Sequence, residues 1–257
     1  MALTFEEWGN GPRLLLLLHG FTGSPRSWDH LREDFLSWGY RVLVADLRAP
    51  ESFPETIEQL ARWVGHVPEP IDVVGYSQGA RVALGLALRQ RRGVRRLVLE
   101  SGSPGLRRRR ERAARRVQDE LLAGQIEAHG VEWFVDYWQS LPLFGPLPQA
   151  VEASLRARRL SCSISELTAS LRQLGLGSQP NYWPKLPSLR VPTLLLTGER
   201  DHKFTRLAAR MAAELPMAWH CTLPAHHTPH LEVPAAYVRE LRAFLEIGWF
   251  DEAEAYA

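Results

Sequence analysis

Short apolar runs recur along the chain, apolar at successive positions and separated by longer stretches in which apolar residues return every three or four. Unbroken apolar runs suit strands buried on both faces, whereas the 3.6-residue period suits helices covering them. Strands are predicted at Leu14–Leu18, Val42–Ala45, Ile71–Val74, Leu97–Leu99, Thr193–Leu196 and Trp219–Leu223. Helices are predicted at Pro25–Trp38, Glu55–Val64, Gln78–Arg89, Arg206–Glu214 and Ala235–Glu246. Strand and helix alternate, which predicts an α/β fold with a mostly parallel sheet flanked by helices.

One interval breaks the alternation. From Pro104 to Arg190 the pattern offers no good strand, only arginine-rich helical sequence, Trp133, Trp138 and Trp183, and the proline-rich "LPLFGPLP". The expected organisation is a core of residues 1–103 and 191–257, with 104–190 inserted as a helical lid. Lids commonly contact substrate and exclude water. The closing "DEAEAYA" is expected to fray, and no internal repeat is visible.

Composition narrows the class. At 257 residues and 45% hydrophobic, the chain can bury one sizeable core. Its net charge of +2 does not mark a nucleic-acid binder. Two cysteines, Cys162 and Cys221, do not make a disulfide framework, so a reduced, cytoplasmic setting is expected. "LLLLLHGF" is too short to span a membrane, and the charged "MALTFEEWGN" does not read as a signal peptide. The oligomeric state stays open and is compatible with a monomer.

Candidate chemistry sits in "GYSQG", Gly75–Gly79, which matches G-x-S-x-G between a predicted strand and a predicted helix. Such a turn lifts the hydroxyl of Ser77 clear of the backbone. Serine needs a histidine and an orienting carboxylate, expected in the chain order serine, acid, histidine. Asp201 in "GERDHKF" is the first candidate acid, with Glu199 and Glu100 as competitors. "PAHHTPHLEVP" offers His226, His227 and His230 as the base. Pro229 breaks helical pairing among these histidines and no carboxylate cluster accompanies them, so a zinc site is not expected. Backbone N–H groups of Gln78 and of Phe21, in "LHGFTGS", are the candidate oxyanion donors, with His19 bracing the latter loop. Arg81 has no part in ordinary ester hydrolysis.

"LLHGFTGS", "GYSQGAR", "LVLESGSPGL", "ERAARRVQDELLA", "GERDHKF" and "HTPHLEVP" together resemble the 2-succinyl-6-hydroxy-2,4-cyclohexadiene-1-carboxylate synthase family of the α/β-hydrolase fold, over residues 14–234. The resemblance implies a lyase of menaquinone biosynthesis. It eliminates pyruvate from 2-succinyl-5-enolpyruvyl-6-hydroxy-3-cyclohexene-1-carboxylate, with Ser77 as a base and no acyl-enzyme. It further implies that Arg81, Arg115 and Lys203 hold the carboxylates of a small polycarboxylate substrate, with Trp138, Tyr76 and His19 also at the substrate site. Guanidinium groups grip carboxylates bidentately, which gives Arg81 a purpose. Counting back from "HLEVP" selects His227 as the base, and a one-residue slip would select His226. The chain departs from the family at "DLRAPES", where relatives carry Asp-x-Pro-Gly-x-Gly.

Two other readings stay open at this level: a serine hydrolase (carboxylesterase or carbon–carbon bond hydrolase) of acidic substrates, and a non-catalytic binding member of the fold. Seven arginines within residues 107–116 lack interleaved aromatics and any recognition motif, so they read as a solvated lid face rather than a nucleic-acid site. No G-x-G-x-x-G follows a strand and no P-loop is present, so no cofactor is expected.

Overall fold

The computed structural model describes residues 3–247, so the acidic "DEAEAYA" tail lies outside the described residues. In chain order the elements are β1 (Phe5–Trp8), β2 (Arg13–Leu18), α1 (Arg32–Ser37), β3 (Tyr40–Ala45), α2 (Phe53–Gly65), β4 (Ile71–Tyr76), α3 (Gln78–Arg89), β5 (Val94–Glu100), α4 (Arg109–Gln139), α5 (Gln149–Leu160), α6 (Ile164–Leu174), β6 (Thr193–Gly198), α7 (His202–Ala212), β7 (Ala218–Leu223), α8 (Pro229–Glu232) and α9 (Pro234–Arg242). The strands form one sheet in the order β1-β3-β2-β4-β5-β6-β7, parallel except for β1, which runs antiparallel to β3.

Period-two geometry explains why the strand sequences are apolar throughout. Leu16 and Leu18 of β2 pack with α2, α3 and α7, while Leu15 and Leu17 pack on the opposite face with Trp28, Phe35 and α9. Every position from Leu15 to Leu18 is buried. The chain leaves β2 for β3 on one side and returns to β4 on the other, so the order reverses between β2 and β4. In open α/β sheets, such a reversal opens a crevice at the strands' carboxyl ends. The loops after β2 and β4 both empty into it.

Several elements differ from the sequence reading: the helix predicted over Ala235–Glu246 is α9 to Arg242 and then a π-helical turn, Ala243–Ile247, and β5 begins three residues before the predicted Leu97. β1, "FEEW", was not foreseen, because an edge strand turns Glu6 and Glu7 to solvent and buries only Trp8. The helix predicted over Pro25–Trp38 is a 3₁₀ segment, Pro25–Leu31, followed by α1. Helix α7 starts four residues before the predicted Arg206 because Asp201 caps it, its carboxylate accepting the Phe204 N–H.

Between β5 and β6 no strand forms among the described residues. Helices α4, α5 and α6 fill most of that interval, and Gly130 (φ 85°, ψ 177°) interrupts α4. Only glycine tolerates that conformation cheaply, so the break has a local cause. Helices α4 and α6 share a small apolar cluster, Ala123, Ile126, Phe134 and Val135 of α4 against Leu167 and Leu171 of α6. The returning segment, Tyr182–Leu189, packs instead into the sheet core. No helix among the described residues is long and apolar enough to cross a membrane.

Candidate active site

Ser77 stands between β4 and α3 with φ 50° and ψ −103°, a conformation that costs a non-glycine residue about 1–3 kcal/mol. Two hydrogen bonds hold it there: its N–H donates to Glu100 O (2.8 Å), and its carbonyl accepts from Arg81 N–H (3.2 Å). Tight flanks are required. A Cβ added at Gly79 would collide with the backbone carbonyl of Leu18. Gly79→Ala is therefore expected to cost about 3 kcal/mol and to lower the melting temperature by roughly 5–10 °C in a thermal melt followed by circular dichroism.

His227 Nε2 lies 3.0 Å from Ser77 Oγ, and His227 Nδ1 lies 2.6 Å from Asp201 Oδ2. The Asp201 and His227 side chains are each 3% exposed, which strengthens their mutual attraction and fixes the ring. Phe204, Tyr76 and Phe144 pack around the imidazole. The competing candidates have other partners. His226 pairs with Glu232 (Nδ1–Oε2 2.9 Å), and His230 pairs with Glu100 (Nδ1–Oε1 2.7 Å). Glu199 faces solvent. The three histidines thus diverge to three separate carboxylates. A serine hydroxyl on an imidazole held by a buried carboxylate can act as nucleophile or as base.

Gln78 opens α3, where first-turn N–H groups lack intrahelical partners, and Phe21 lies in the loop after β2. No acceptor among the described residues takes either N–H, and both residues line the cavity at Ser77. His19 sits behind that loop rather than on the cavity. Its Nδ1 is 2.9 Å from Gly20 O and its Nε2 accepts the Leu47 N–H at 3.0 Å. With both ring nitrogens occupied, its geometry suits bracing the loop, and the substrate contact implied by the resemblance has no free group to make it.

Arg81, Arg115, Arg158, Arg159 and Lys203 all line the cavity, and no aspartate or glutamate among the described residues does. Nη1 of Arg81 and Nε of Arg159 are buried with no hydrogen-bond partner among the described residues. Burial first, and then the neighbouring Arg115, push the Arg81 guanidinium down to about 9, with Asp119 opposing them, so it stays charged at neutral pH. Burial likewise lowers Arg159, which is 5% exposed. Unpaired buried donors among several positive charges are costly unless an anion completes them.

Of the residues implied by the resemblance, Tyr76, Arg81, Arg115, Trp138 and Lys203 all reach this cavity. Trp138 meets Phe21 edge-on at 5.1 Å. Within the arginine run, Arg107–Arg110 are exposed, Arg112 bonds Leu106 O and Arg116 bonds Gly177 O, which leaves Arg115 as the member at the cavity, its Nε on Asp119 Oδ1 (2.8 Å). Sequence reasoning missed Arg158 and Arg159. Their signal was present: they lie three and four residues after Leu155, on the same face of α5, where an amphipathic helix should carry apolar side chains.

Residues 15–240 match the family model described as "Alpha/beta hydrolase family". A Bacillus subtilis protein provisionally named 2-succinyl-6-hydroxy-2,4-cyclohexadiene-1-carboxylate synthase is 34% identical, over 93% of each chain. The Klebsiella pneumoniae synthase of that name is 30% identical over 90% of this chain and 93% of its own. A solved structure described as MenH from S. aureus superposes with TM-score 0.89 at 31% identity, covering 94% of this chain and 97% of that one. A thermophilic esterase from Thermogutta terrifontis superposes with TM-score 0.77 at 24% identity, a likeness of fold alone. By the family match and by relatives at least 30% identical along most of its length, the chain belongs to the α/β-hydrolase family, among the 2-succinyl-6-hydroxy-2,4-cyclohexadiene-1-carboxylate synthases.

Proposed function

We propose that this enzyme eliminates pyruvate from 2-succinyl-5-enolpyruvyl-6-hydroxy-3-cyclohexene-1-carboxylate, giving 2-succinyl-6-hydroxy-2,4-cyclohexadiene-1-carboxylate in menaquinone biosynthesis. The observation that carries this reading is the cavity beside Ser77, lined by four arginines and Lys203 and, among the described residues, by no carboxylate. A substrate with three carboxylates needs several fixed cations, whereas a simple ester needs none.

Ser77 and His227 act as the base. His227 takes the hydroxyl proton while Oγ removes the proton from C2, next to the succinyl carbonyl. The C2 electron pair forms the C2–C3 double bond, the C3–C4 pair moves to C4–C5, and the C5–O bond breaks. Enolpyruvate leaves, takes the proton held by His227 and tautomerises to pyruvate, which returns the triad to its starting state. Charge that builds on the succinyl oxygen is met by the Phe21 and Gln78 N–H groups. Asp201 steadies the imidazolium without itself becoming protonated.

Helices α4, α5 and α6 serve as the lid in this reading. They supply Arg115, Arg158, Arg159 and Trp138 to the cavity, and their closure excludes water from the carbanion. Arg159→Ala is expected to raise KM about tenfold or more with a much smaller change in kcat, read from steady-state pyruvate release. The whole reading is tested by incubating the purified protein with the substrate and following pyruvate with lactate dehydrogenase. Catalytic release supports it, and release no faster than in buffer refutes it.

A further inference from the structure

The side chain of Gln78 does something apart from its backbone N–H. Its Nε2 donates to Ser170 Oγ at 2.8 Å, and Ser170 Oγ donates back to Oε1 at 3.3 Å. Gln78 is 3% exposed and Ser170 7%, and both line the cavity. One residue therefore directly follows Ser77, and the other sits in the middle of α6. Helix α6 is also fastened to α4. Leu167 and Leu171 share its apolar cluster, Arg172 pairs with Glu120 and Glu127, and Gly175 packs on Asp119, the carboxylate that holds Arg115 Nε.

We propose that the Gln78–Ser170 pair is a positioning latch that fixes α6, and through it Arg115 on α4, at a set distance from Ser77. Neither side chain need touch the substrate. The physical argument is an asymmetry in buried hydrogen bonds. Removing one partner strands the other in a dry site, whereas replacing both with apolar groups of similar shape is nearly neutral.

This inference rests on the function proposed above, so two readouts are needed. Ser170→Ala, Gln78→Met and the double variant are compared by pyruvate-release kinetics and by amide hydrogen exchange of residues 164–174 in the substrate-free protein. Each single variant is expected to speed exchange in α6 and to raise KM about tenfold, with kcat changed less than about twofold in Ser170→Ala. The double variant, with apolar groups facing each other, is expected to recover exchange and KM to within about threefold of the parent. Parent-like exchange in Ser170→Ala would overturn the latch. So would a double variant as impaired as Gln78→Met, since the amide's partner would then be the substrate. If the parent protein releases no pyruvate, the proposed function fails, and the exchange data alone decide the latch.

Discussion

Ser77→Ala is expected to lower the rate of pyruvate release by about 10³-fold or more, with KM changed only a few fold. The hydroxyl is the group placed between His227 Nε2 and the cavity, 3.0 Å from the imidazole, and alanine leaves the base without its relay to C2. The carboxylate-binding cations are untouched by this change, so substrate should still bind. Some activity should survive, because the oxyanion donors and bound orientation persist. His227→Ala should be about as damaging, and combining the two should add little, since residues acting as one unit are strongly non-additive. Stopped-flow and steady-state measurements of pyruvate release check both points.

Arg81→Met carries the second largest expected effect, a loss of about 10²-fold or more in kcat/KM for the polycarboxylate substrate. Methionine keeps much of the apolar stem and removes the charge. Because Nη1 of Arg81 is buried with no hydrogen-bond partner among the described residues, its partner is expected to be a substrate carboxylate taken fully out of water. Stripping one member from such a pair leaves the other charge stranded, which is why the cost exceeds that of a surface contact. Arg81→Lys should fall between, since a point charge cannot reproduce the bidentate fork. Reactivity of Ser77 toward a small neutral p-nitrophenyl ester should change less than about threefold in Arg81→Met, because that probe has no carboxylate to place. A comparable loss on both substrates would mean that Arg81 shapes the turn at Ser77, not the anion site.

Much of the fold was legible because its strands are buried on both faces, and a run such as "RLLLLL" has no other comfortable place. Edge elements were the hard part. β1 reads as charged loop since only Trp8 of "FEEW" faces the core, and its pairing with β3 is a long-range fact no local pattern encodes. The segment after Pro25 carries a helical period, but its first seven residues wind as a 3₁₀ turn ahead of α1.

At the candidate site the residues tied to a turn or a strand end were the readable ones. Ser77 sits in a motif with steric requirements, and Asp201 follows β6 at the head of α7. Among the three histidines, the selection of His227 came from the family resemblance, by counting back from "HLEVP", and not from local chemistry. Its structural basis is Glu232 and Glu100, whose carboxylates claim His226 and His230 and leave His227 facing Ser77. Arg158 and Arg159 were overlooked although their spacing from Leu155 was readable in the sequence. A basic residue on a lid helix reads as solvated, and the structure shows that these two turn into the cavity. The departure at "DLRAPES" also has a local account, with Arg48 of that loop pairing with Asp46 and with Glu166 of α6.

The most direct test of the central claim is the ratio of kcat/KM for pyruvate elimination to kcat/KM for hydrolysis of a short p-nitrophenyl ester, measured on the same purified protein with Ser77→Ala as control. The account predicts a ratio of about 10³ or more, lost in the control, because binding energy from the cations is realised only by the polycarboxylate. Ester hydrolysis that dominates, with no Ser77-dependent pyruvate, would contradict it.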